Sequence, residues 1–299
     1  MTQNIAILGM GKMGQALAER LLDQKKSISI WNRSEKDLSK FTSRGATVLD
    51  NPASAWTKSD VAITFLANDD AVHEVYLGEN GLLNPKGRGR LAIEMSTISP
   101  QASASVAKKA KELDIDYLSS PVSGNPGVLA AGNLALIVSG PKSAYKDNLS
   151  LLESIGSTVI YVGENEESRI LKLTVNATLA ATAAIVSETI LLCESNGIDR
   201  ATYLNVLSNS SMGSPFVKYK APALEKKDYS ATFTTAMIGK DMKMYLGLAK
   251  ESKTPAPVTE AVQQLIKDTC EYGLADLDFM AILPYLQSLA NKKADVEPN

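Results

Sequence analysis

Lys172 and Asn176 are the two residues whose types and spacing first suggest chemistry. They lie four residues apart in a long segment with helical periodicity, so a helix would place both side chains on one face. The neighbours of Lys172 are mostly apolar, and burial lowers the pKa of a lysine because it disfavours the charged form. Such a group can donate a proton to an oxygen that gains negative charge and recover it in the reverse direction. The alternative is a surface lysine whose apolar stem covers the helix while its ammonium stays in water.

Residues 5–14, IAILGMGKMG, join an apolar run to a G-x-G-x-x-G pattern, and residues 15–22 continue with helical periodicity. A strand, a glycine turn and a helix in this order predict a dinucleotide site. Gly9 permits the tight turn, Gly11 lets a pyrophosphate approach the backbone, and Gly14 lets the helix pack closely on the strand. The helix N-terminus offers N–H groups and partial positive charge to the phosphates. The alternative is a tight turn that binds no ligand. The predicted cofactor-binding residues of this turn are Gly9, Met10, Gly11, Lys12 and Met13.

The end of the second strand, at residues 27–31, predicts which dinucleotide binds. NAD sites usually carry Asp or Glu here, about 20 residues after the glycines, to bond the ribose 2′-hydroxyl. This chain has Asn32, Arg33 and Ser34 instead. Arg33 can pair with a 2′-phosphate and Ser34 can donate to it, so NADP is expected, with NAD as the alternative. If Arg33 is only a solvated surface residue, Ser34 would instead cap a helix that begins near Glu35.

The ends of the following strands carry further candidates, because ligands bind at the carboxyl ends of the strands in a doubly wound sheet. The strand at residues 61–66 places Leu66 and Ala67 there, on the adenine side of the crevice. Asp69 or Asp70 is expected to cap the helix that follows.

The strand at residues 91–95 ends at Ser96 and Thr97, whose hydroxyls can contact a nicotinamide ribose or a substrate carboxylate. We assign Thr97 to the cofactor and Ser96 to the substrate. The alternative is a cap on the helix predicted at residues 101–113, and one residue can serve both purposes. Residues 78–90, which precede this strand, are predicted to form a loop.

Strands and helices alternate up to a strand at residues 159–162, after which residues 166–291 are almost entirely helical in pattern. The predicted fold class is α/β: an N-terminal Rossmann domain with a doubly wound, mainly parallel sheet, then an all-α C-terminal domain, joined by a long interdomain helix. The predicted domains are residues 1–163 and 164–291, followed by a frayed polar tail at 292–299. Lys172 and Asn176, near the start of the long helix, would face the cleft between the domains.

The composition is that of an ordinary soluble protein, with 44% hydrophobic and 21% charged residues and a net charge of −2 over 299 residues. No nucleic-acid surface is expected, and residues 171–193 contain charged and polar side chains that predict a buried helix rather than a membrane span. Cys193 and Cys270 are too few for a disulfide framework or a metal site, so a reducing, cytoplasmic setting fits. The start of the chain lacks the pattern of a signal peptide. His73 has no partners for a triad or a zinc site and is assigned a surface or structural role.

Taken together, these residues resemble the β-hydroxyacid dehydrogenase family. That family includes 3-hydroxyisobutyrate dehydrogenases, glyoxylate/succinic semialdehyde reductases and, more distantly, 6-phosphogluconate dehydrogenases. The resemblance covers nearly the whole chain, in order, and its combined spacings are more specific than the glycine motif alone. It rests on GMGKMG at residues 9–14, Ser96-Thr97-Ile98, Pro121-Val122-Ser123-Gly124, the pair Lys172 and Asn176, and Phe233 followed by Lys240-Asp241.

The resemblance implies NAD(P)-linked conversion of a small hydroxy acid or aldehyde acid, by a homodimer or homotetramer that associates through the helical domain. It assigns Lys172 as the general acid/base and Asn176 as a partner that orients the substrate. The stretch from Asn32 to Ser34 is similar to that of the NADP-using glyoxylate/succinic semialdehyde reductases. The other roles that it implies are Ser123 and Gly124 at the substrate carboxylate, Phe233 in the pocket wall, and Lys240 near the nicotinamide end of the cofactor.

The chain departs from the family pattern at two places. The family usually reads Asp-Ala-Pro-Val-Ser-Gly-Gly where this chain has Ser119, Ser120 and, in place of the last glycine, Asn125. Asn125 adds a polar side chain to the predicted substrate site and opens the question of a different substrate. The glycines common before the lysine are replaced by Glu166 and Ser168.

Two other functions are kept as alternatives. Asn125-Pro126 resembles the corresponding loop of imine reductases, which share this architecture but usually carry Asp or Tyr in place of the lysine. A dinucleotide-binding module without catalysis would also keep the fold, but it would not need Lys172, Asn176 or Ser123.

Overall fold

The computed structural model describes residues 3–84 and 91–298. The predicted loop at residues 78–90 therefore lies partly outside the described residues. The chain divides into two compact units, Met1–Lys172 and Leu173–Asn299. Each unit is built around its own apolar core.

The first unit is a sheet of nine described strands with helices on both faces. The strands are β1 Ile5–Leu8, β2 Ile28–Trp31, β3 Thr47–Val48, β4 Val61–Thr64, β5 Leu91–Glu94, β6 Asp116–Ser119, β7 Val122–Ser123, β8 Ala135–Ser139 and β9 Thr158–Gly163. Their order is β3-β2-β1-β4-β5-β6-β8-β7, with β9 beside β8. From β3 to β6 all neighbours are parallel, whereas β8 is antiparallel to β6 and β7 and parallel to β9.

The helices of this unit connect the strands and cover the sheet. They are α1 Lys12–Asp23, α2 Ser39–Thr42, α3 Ala55–Lys58, α4 Asp69–Leu77, α5 Pro100–Glu112, α6 Pro126–Ala130, α7 Lys142–Asp147 and α8 Leu149–Ile155, with a 3-10 turn at Pro52–Ser54. Alternate residues of β1 enter opposite cores: Ile5 and Ile7 pack on one face, and Ala6 and Leu8 on the other. Because both faces are covered, the strand reads as a continuous apolar run.

The second unit is helical. Its helices are α9 Glu167–Ser195, whose first turns belong to the first unit, α10 Arg200–Asn209, α11 Pro215–Glu225, α12 Thr235–Glu251, α13 Pro257–Thr269 and α14 Ile282–Leu289, with a π turn at Cys270–Leu274 and a 3-10 turn at Phe279–Ala281. The predicted fold class is thus confirmed: a mainly parallel α/β domain, then an all-α domain, with one long helix running from the first into the second.

α9 is buried along one face and exposed along the other. The small side chains of Ala177, Ala180 and Ala184 on the buried face let neighbouring helices approach closely. By length and composition α9 passes as a membrane span, the only one among the described helices, with mean hydropathy 1.5 and 44% of its most apolar window buried in the protein. That burial is typical of a core helix.

The structure corrects several predicted helix starts. The side chain of Asn68, rather than Asp69 or Asp70, caps α4. No helix begins near Glu35; the next one, α2, starts at Ser39, so Ser34 is not a cap. Ser99 caps α5, rather than Ser96 or Thr97. In each case several residues that can cap lie close together, and only the chain path decides which one faces the open N–H groups.

The structure also describes the predicted frayed tail and the single histidine. The described part of the tail, residues 292–298, forms no helix or strand, but it is not frayed at Asp295, whose side chain is 1% exposed and pairs with Arg200 and Lys227. His73 lies exposed on α4, and its Nε2 is 3.0 Å from Oγ of Ser105 on α5.

Candidate cofactor and catalytic site

Two of the three glycines in the first turn are required by the protein itself. Gly9 has φ of 98°, and a Cβ there would lie 2.2 Å from the carbonyl oxygen of Phe65. A Cβ on Gly14 would lie 1.9 Å from the carbonyl oxygen of Gly9. Any side chain at either position would force the backbone apart.

Gly11 is different, because nothing in the described chain requires a glycine there. Its φ of −68° suits any residue, and a Cβ built on it meets no atom within 4 Å. Gly11 is exposed at the N-terminus of α1, and no side chain of the described residues caps that helix. The open surface beside a helix N-terminus fits a pyrophosphate that approaches the backbone, so the residues present fit a dinucleotide.

The end of β2 is tied to the glycine turn. Asn32 accepts a hydrogen bond from the N–H of Met10 at 3.0 Å, and its Nδ2 donates to the carbonyl and hydroxyl oxygens of Ser34 at 2.9 and 3.1 Å. Lys36 donates to the carbonyl oxygen of Met10 at 2.8 Å. Asn32 therefore shapes the turn, while Ser34 and Arg33 lie exposed beside it.

Arg33 pairs with Glu74 of α4 at 3.1 Å, and both side chains are mostly exposed, at 70% and 59%. An exposed ion pair contributes little to stability, about 0–1 kcal/mol, so Arg33 can exchange this partner for another anion.

The ends of β4 and β5 are joined through Ser96. Its hydroxyl accepts the N–H of Leu66 at 2.6 Å, and the residue is 4% exposed. Thr97 is half-buried beside it, and Ala67 is exposed after Leu66. The structure thus brings the predicted residues of these two strand ends together, and the hydroxyl of Ser96 accepts a backbone hydrogen bond from Leu66.

The predicted carboxylate loop lies between β7 and α6. Ser123 is the last residue of β7, and Gly124 has φ of 141°, where a Cβ would lie 2.7 Å from Cδ1 of Leu134. The side-chain oxygen of Asn125 accepts the N–H of Val128 at 3.0 Å and so caps α6. Asn125 therefore stabilises the N-terminus of α6.

Lys172 and Asn176 both lie on the buried face of α9, at 9% and 2% exposure. Asn176 donates to Oδ2 of Asp241 at 2.6 Å, and Oδ1 of the same carboxylate lies 3.4 Å from Nζ of Lys240. Within the helical unit, the predicted residues Asn176 and Lys240 thus share one buried carboxylate as a partner, and Asp241 was not among the site residues predicted from sequence.

Phe233 precedes α12. Its carbonyl oxygen accepts the N–H of Phe279 at 3.1 Å, and the two rings pack edge to face with centroids 6.0 Å apart. Phe233 is half-buried, at the edge of the helical core.

A buried polar network that sequence reasoning missed is centred on Arg169, one helical turn before Lys172. Glu94 and Arg169 form an ion pair at 0% and 1% side-chain exposure. Burial lowers the pKa of Arg169, but Glu94, Tyr117 and Glu166 together outweigh burial and leave that pKa raised. Burial raises the pKa of Tyr117, which lies near both charges. The available signal was a glutamate inside LAIEM, since an acid in a strand buried on both faces must find a partner.

Glu166 precedes α9. Burial raises the pKa of its carboxyl group, while a hydrogen bond from Ser103 and the charge of Arg169 act in the opposite direction. Its Oε2 lies buried and has no hydrogen-bond partner among residues 3–84 and 91–298.

Comparisons with known proteins agree with this architecture. Residues 4–163 match the family model of the NAD binding domain of 6-phosphogluconate dehydrogenase. Residues 167–286 match that of the NAD-binding of NADP-dependent 3-hydroxyisobutyrate dehydrogenase. These matches define the chain as an NAD(P)-dependent oxidoreductase.

Similar whole proteins are also known. Glyoxylate/succinic semialdehyde reductase 2 of Arabidopsis thaliana is 28% identical, covering 98% of this chain and 82% of that protein. The uncharacterized oxidoreductase YfjR of Bacillus subtilis is 31% identical over 93% of this chain and 98% of its own length. The structure of Mycobacterium tuberculosis 3-hydroxyisobutyrate dehydrogenase with L-serine matches with a TM-score of 0.86 and 24% identity, covering 96% and 100% of the two chains. The chain belongs to the hydroxyacid dehydrogenase family of 3-hydroxyisobutyrate dehydrogenases and related reductases, which confirms the predicted resemblance.

Proposed function

We propose that this protein is an NADP(H)-dependent oxidoreductase of small 3-hydroxy acids or aldehyde acids, of the 3-hydroxyisobutyrate, succinic semialdehyde or glyoxylate class. Lys172 is its general acid/base. The observation that carries the proposal is the burial of Lys172 on the same helical face as Asn176, one turn beyond the strand ends that α9 contacts. Burial disfavours the charged form of a lysine and so favours release of its proton, which is what a general acid must do.

The cofactor, when bound, supplies or accepts a hydride at the substrate carbon. Nζ of Lys172 gives a proton to the substrate oxygen in the reductive direction and removes it in the oxidative direction. The amide of Asn176 orients that oxygen. The hydrogen bond that Nδ2 of Asn176 donates to Oδ2 of Asp241, at 2.6 Å, fixes which way the amide points.

The preference for NADPH is supported by Arg33 and Ser34. Both lie exposed after β2, where a carboxylate would repel a 2′-phosphate. The guanidinium of Arg33 can leave its exposed partner Glu74 and take the phosphate in a charge-assisted bond.

A substrate carboxylate is compatible with Asn125, although the resembled family commonly has glycine there. The amide oxygen of Asn125, which is the group that would repel a carboxylate, is turned towards the N–H of Val128. Ser123 and Gly124 precede it in the same loop and are the proposed contacts of the carboxylate.

The test measures NADPH oxidation with glyoxylate, succinic semialdehyde and one cyclic imine. We expect turnover of an aldehyde acid, and we expect Lys172→Ala to lower kcat by about 10²-fold or more, the scale of a general acid. Lys172→Arg should fail similarly, because a guanidinium does not give up its proton at neutral pH. Lys108→Ala, at an exposed lysine of α5, is the matched control and should behave as the wild type.

NADPH affinity is measured in parallel, and it should change little in the Lys172 variants. Turnover of the imine alone would move the protein to the imine reductases and refute the proposed substrate class. Normal kcat in Lys172→Ala would refute the role of Lys172. NADPH binding without turnover of any carbonyl acid would favour a cofactor-binding module.

A further inference from the structure

The start of α9 is held by two consecutive buried polar residues, Ser168 and Arg169. They are 0% and 1% exposed, and both point into the first unit. Buried polar groups require partners, so the bonds that each one makes define where the helix can sit.

Ser168 is bonded to the ends of two strands. Its hydroxyl lies 2.8 Å from Oγ of Ser119, at the end of β6, and 2.7 Å from Oγ of Ser139, at the end of β8. It also lies 3.1 Å from the carbonyl oxygen of Ser119. These short contacts fix the depth of the first helical turn above the sheet.

Arg169 is bonded to the end of β5. Its guanidinium pairs with the Glu94 carboxylate and donates to the carbonyl oxygens of Ser96 and, at 3.1 Å, Glu94. A guanidinium is planar and presents its donors in a rigid fork, so three acceptors restrict both the rotation and the position of the helix that carries it.

Glu94 connects this arginine to the neighbouring strands. Its Oε1 accepts the N–H of Ser96 at 2.8 Å and the hydroxyl of Thr64 at 3.3 Å, and its backbone carbonyl accepts the N–H of Ser120 at 2.8 Å. The ends of β4, β5 and β6 are therefore joined at one residue, Glu94, whose carboxylate also holds the start of α9.

Lys172 follows Ser168 by four residues and Arg169 by three, so all three lie on one face of the helix. Each residue of an α-helix advances about 100° and 1.5 Å, so a small slip of the first turn would carry the lysine away from its place. Hydrogen bonds, unlike apolar contacts, require a particular direction between donor and acceptor, so these bonds restrict the angle of the first turn as well as its depth.

We propose that Ser168 and Arg169, with Glu94, are positioning residues that set the angle and depth of the first turns of α9 on the sheet and so place Lys172. Ser168 occupies one of the two positions at which the resembled family commonly has glycine. The inference deepens the proposed function and rests on the role of Lys172 as the proton donor.

The main test is the double variant Glu94→Gln/Arg169→Met, which removes both buried charges together and leaves neither unpaired. We expect its kcat to fall about 10- to 100-fold, since a misplacement of about 1 Å can cost about 10²-fold. KM for the aldehyde acid and the NADPH affinity should stay near wild type, because the interaction lost acts in the chemical step. Amide hydrogen exchange in residues 168–176 should become faster.

Two variants calibrate this result. Arg200→Met removes an arginine of similar burial in the helical unit, where it pairs with Glu194 and Asp295, and its kcat should be unchanged. Arg169→Lys keeps the charge but loses the fork, so its kcat should lie between the double variant and the wild type.

Wild-type kcat in the folded double variant would overturn the proposal. If that variant does not fold, Ser168→Ala tests the proposal instead. A lower kcat at unchanged KM supports the positioning role of Ser168, and a wild-type kcat overturns the proposal. A failure of the proposed function is distinguishable, because it appears as normal kcat in Lys172→Ala. Hydrogen exchange tests the positioning residues whether or not Lys172 is the proton donor. Faster exchange of residues 168–176 in the double variant supports their role, and unchanged exchange overturns it.

Discussion

Gly11→Ala separates cofactor binding from folding more cleanly than any other change in the glycine turn. The residue has φ of −68° and ψ of −172°, which alanine adopts without strain, and a Cβ there meets no atom of the described residues within 4 Å. The fold therefore does not require glycine at position 11, whereas a bound pyrophosphate needs the space that the methyl group of alanine would fill.

The expected change in stability is close to zero. Replacing glycine by alanine in an unstrained position stabilises a protein by about 0.4–1 kcal/mol through the unfolded chain. Against this, Gly11 is the N-cap of α1, and alanine is the poorer cap, at a cost of about 0.5–1 kcal/mol. The two effects nearly cancel, so Tm should move by no more than about 4 °C.

The expected change in NADPH affinity is large. A methyl group on Gly11 pushes the phosphates away from the helix N-terminus and weakens at least one hydrogen bond to a charged oxygen. Such a bond is worth about 1.5–3 kcal/mol, which corresponds to an increase in Kd of about 10- to 100-fold. Fluorescence titration of NADPH measures Kd, and thermal unfolding measures Tm in the same samples.

Gly14→Ala is the matched control with the opposite expectation. Its Cβ would lie 1.9 Å from the carbonyl oxygen of Gly9, so the variant should lose stability before binding can be measured. The reasoning is refuted if Gly11→Ala binds NADPH as well as the wild type does, or if it loses as much stability as Gly14→Ala.

The remaining predictions concern two surface charges and one buried carboxyl group. Arg33→Ala should raise the Kd of NADPH about tenfold and leave that of NADH unchanged, as a lost bond to a charged phosphate requires; equal losses for both would reject contact with the 2′-phosphate. Glu74→Gln should strengthen NADPH binding by about two- to fivefold, because Arg33 then gives up no ion pair, which is worth about 0.2–1 kcal/mol at the surface; unchanged binding would show that Glu74 does not compete. Burial raises the pKa of Glu166 in the folded protein, so the folded state holds that proton more tightly than the unfolded state, and stability from this group is lost as pH rises through the folded pKa. Glu166→Gln should therefore raise the free energy of unfolding at pH 7 but not below the ordinary carboxyl pKa of about 4.3, as urea titrations at both pH values would show; equal effects at both would exclude ionisation as the cause.

Much of the fold follows from local patterns. IAIL before a glycine turn, and the helical periodicity after residue 166, are short-range signals that need no knowledge of the distant chain. The two-residue strands Thr47–Val48 and Val122–Ser123 were not predicted, because so short a strand exists only through pairing with β2 or β8.

The sequence by itself determined the kinds of groups available to the site: the glycine turn, Arg33 after the second strand, and Lys172 with Asn176 on one helical face. It could not show that Arg33 faces Glu74, because these two residues are 41 positions apart in the chain and lie on separate elements.

Only the tertiary structure decided what holds Lys172. Glu94 and Arg169 are 75 residues apart in the chain, and nothing local to either one indicates the other. Their pairing arises because the strands bury both faces of the sheet, and a charge taken out of water there must meet its opposite wherever the chain brings one. Periodicity can therefore place the lysine on a face of its helix, while the angle and depth of the first turns of that helix depend on contacts that exist only in the folded protein.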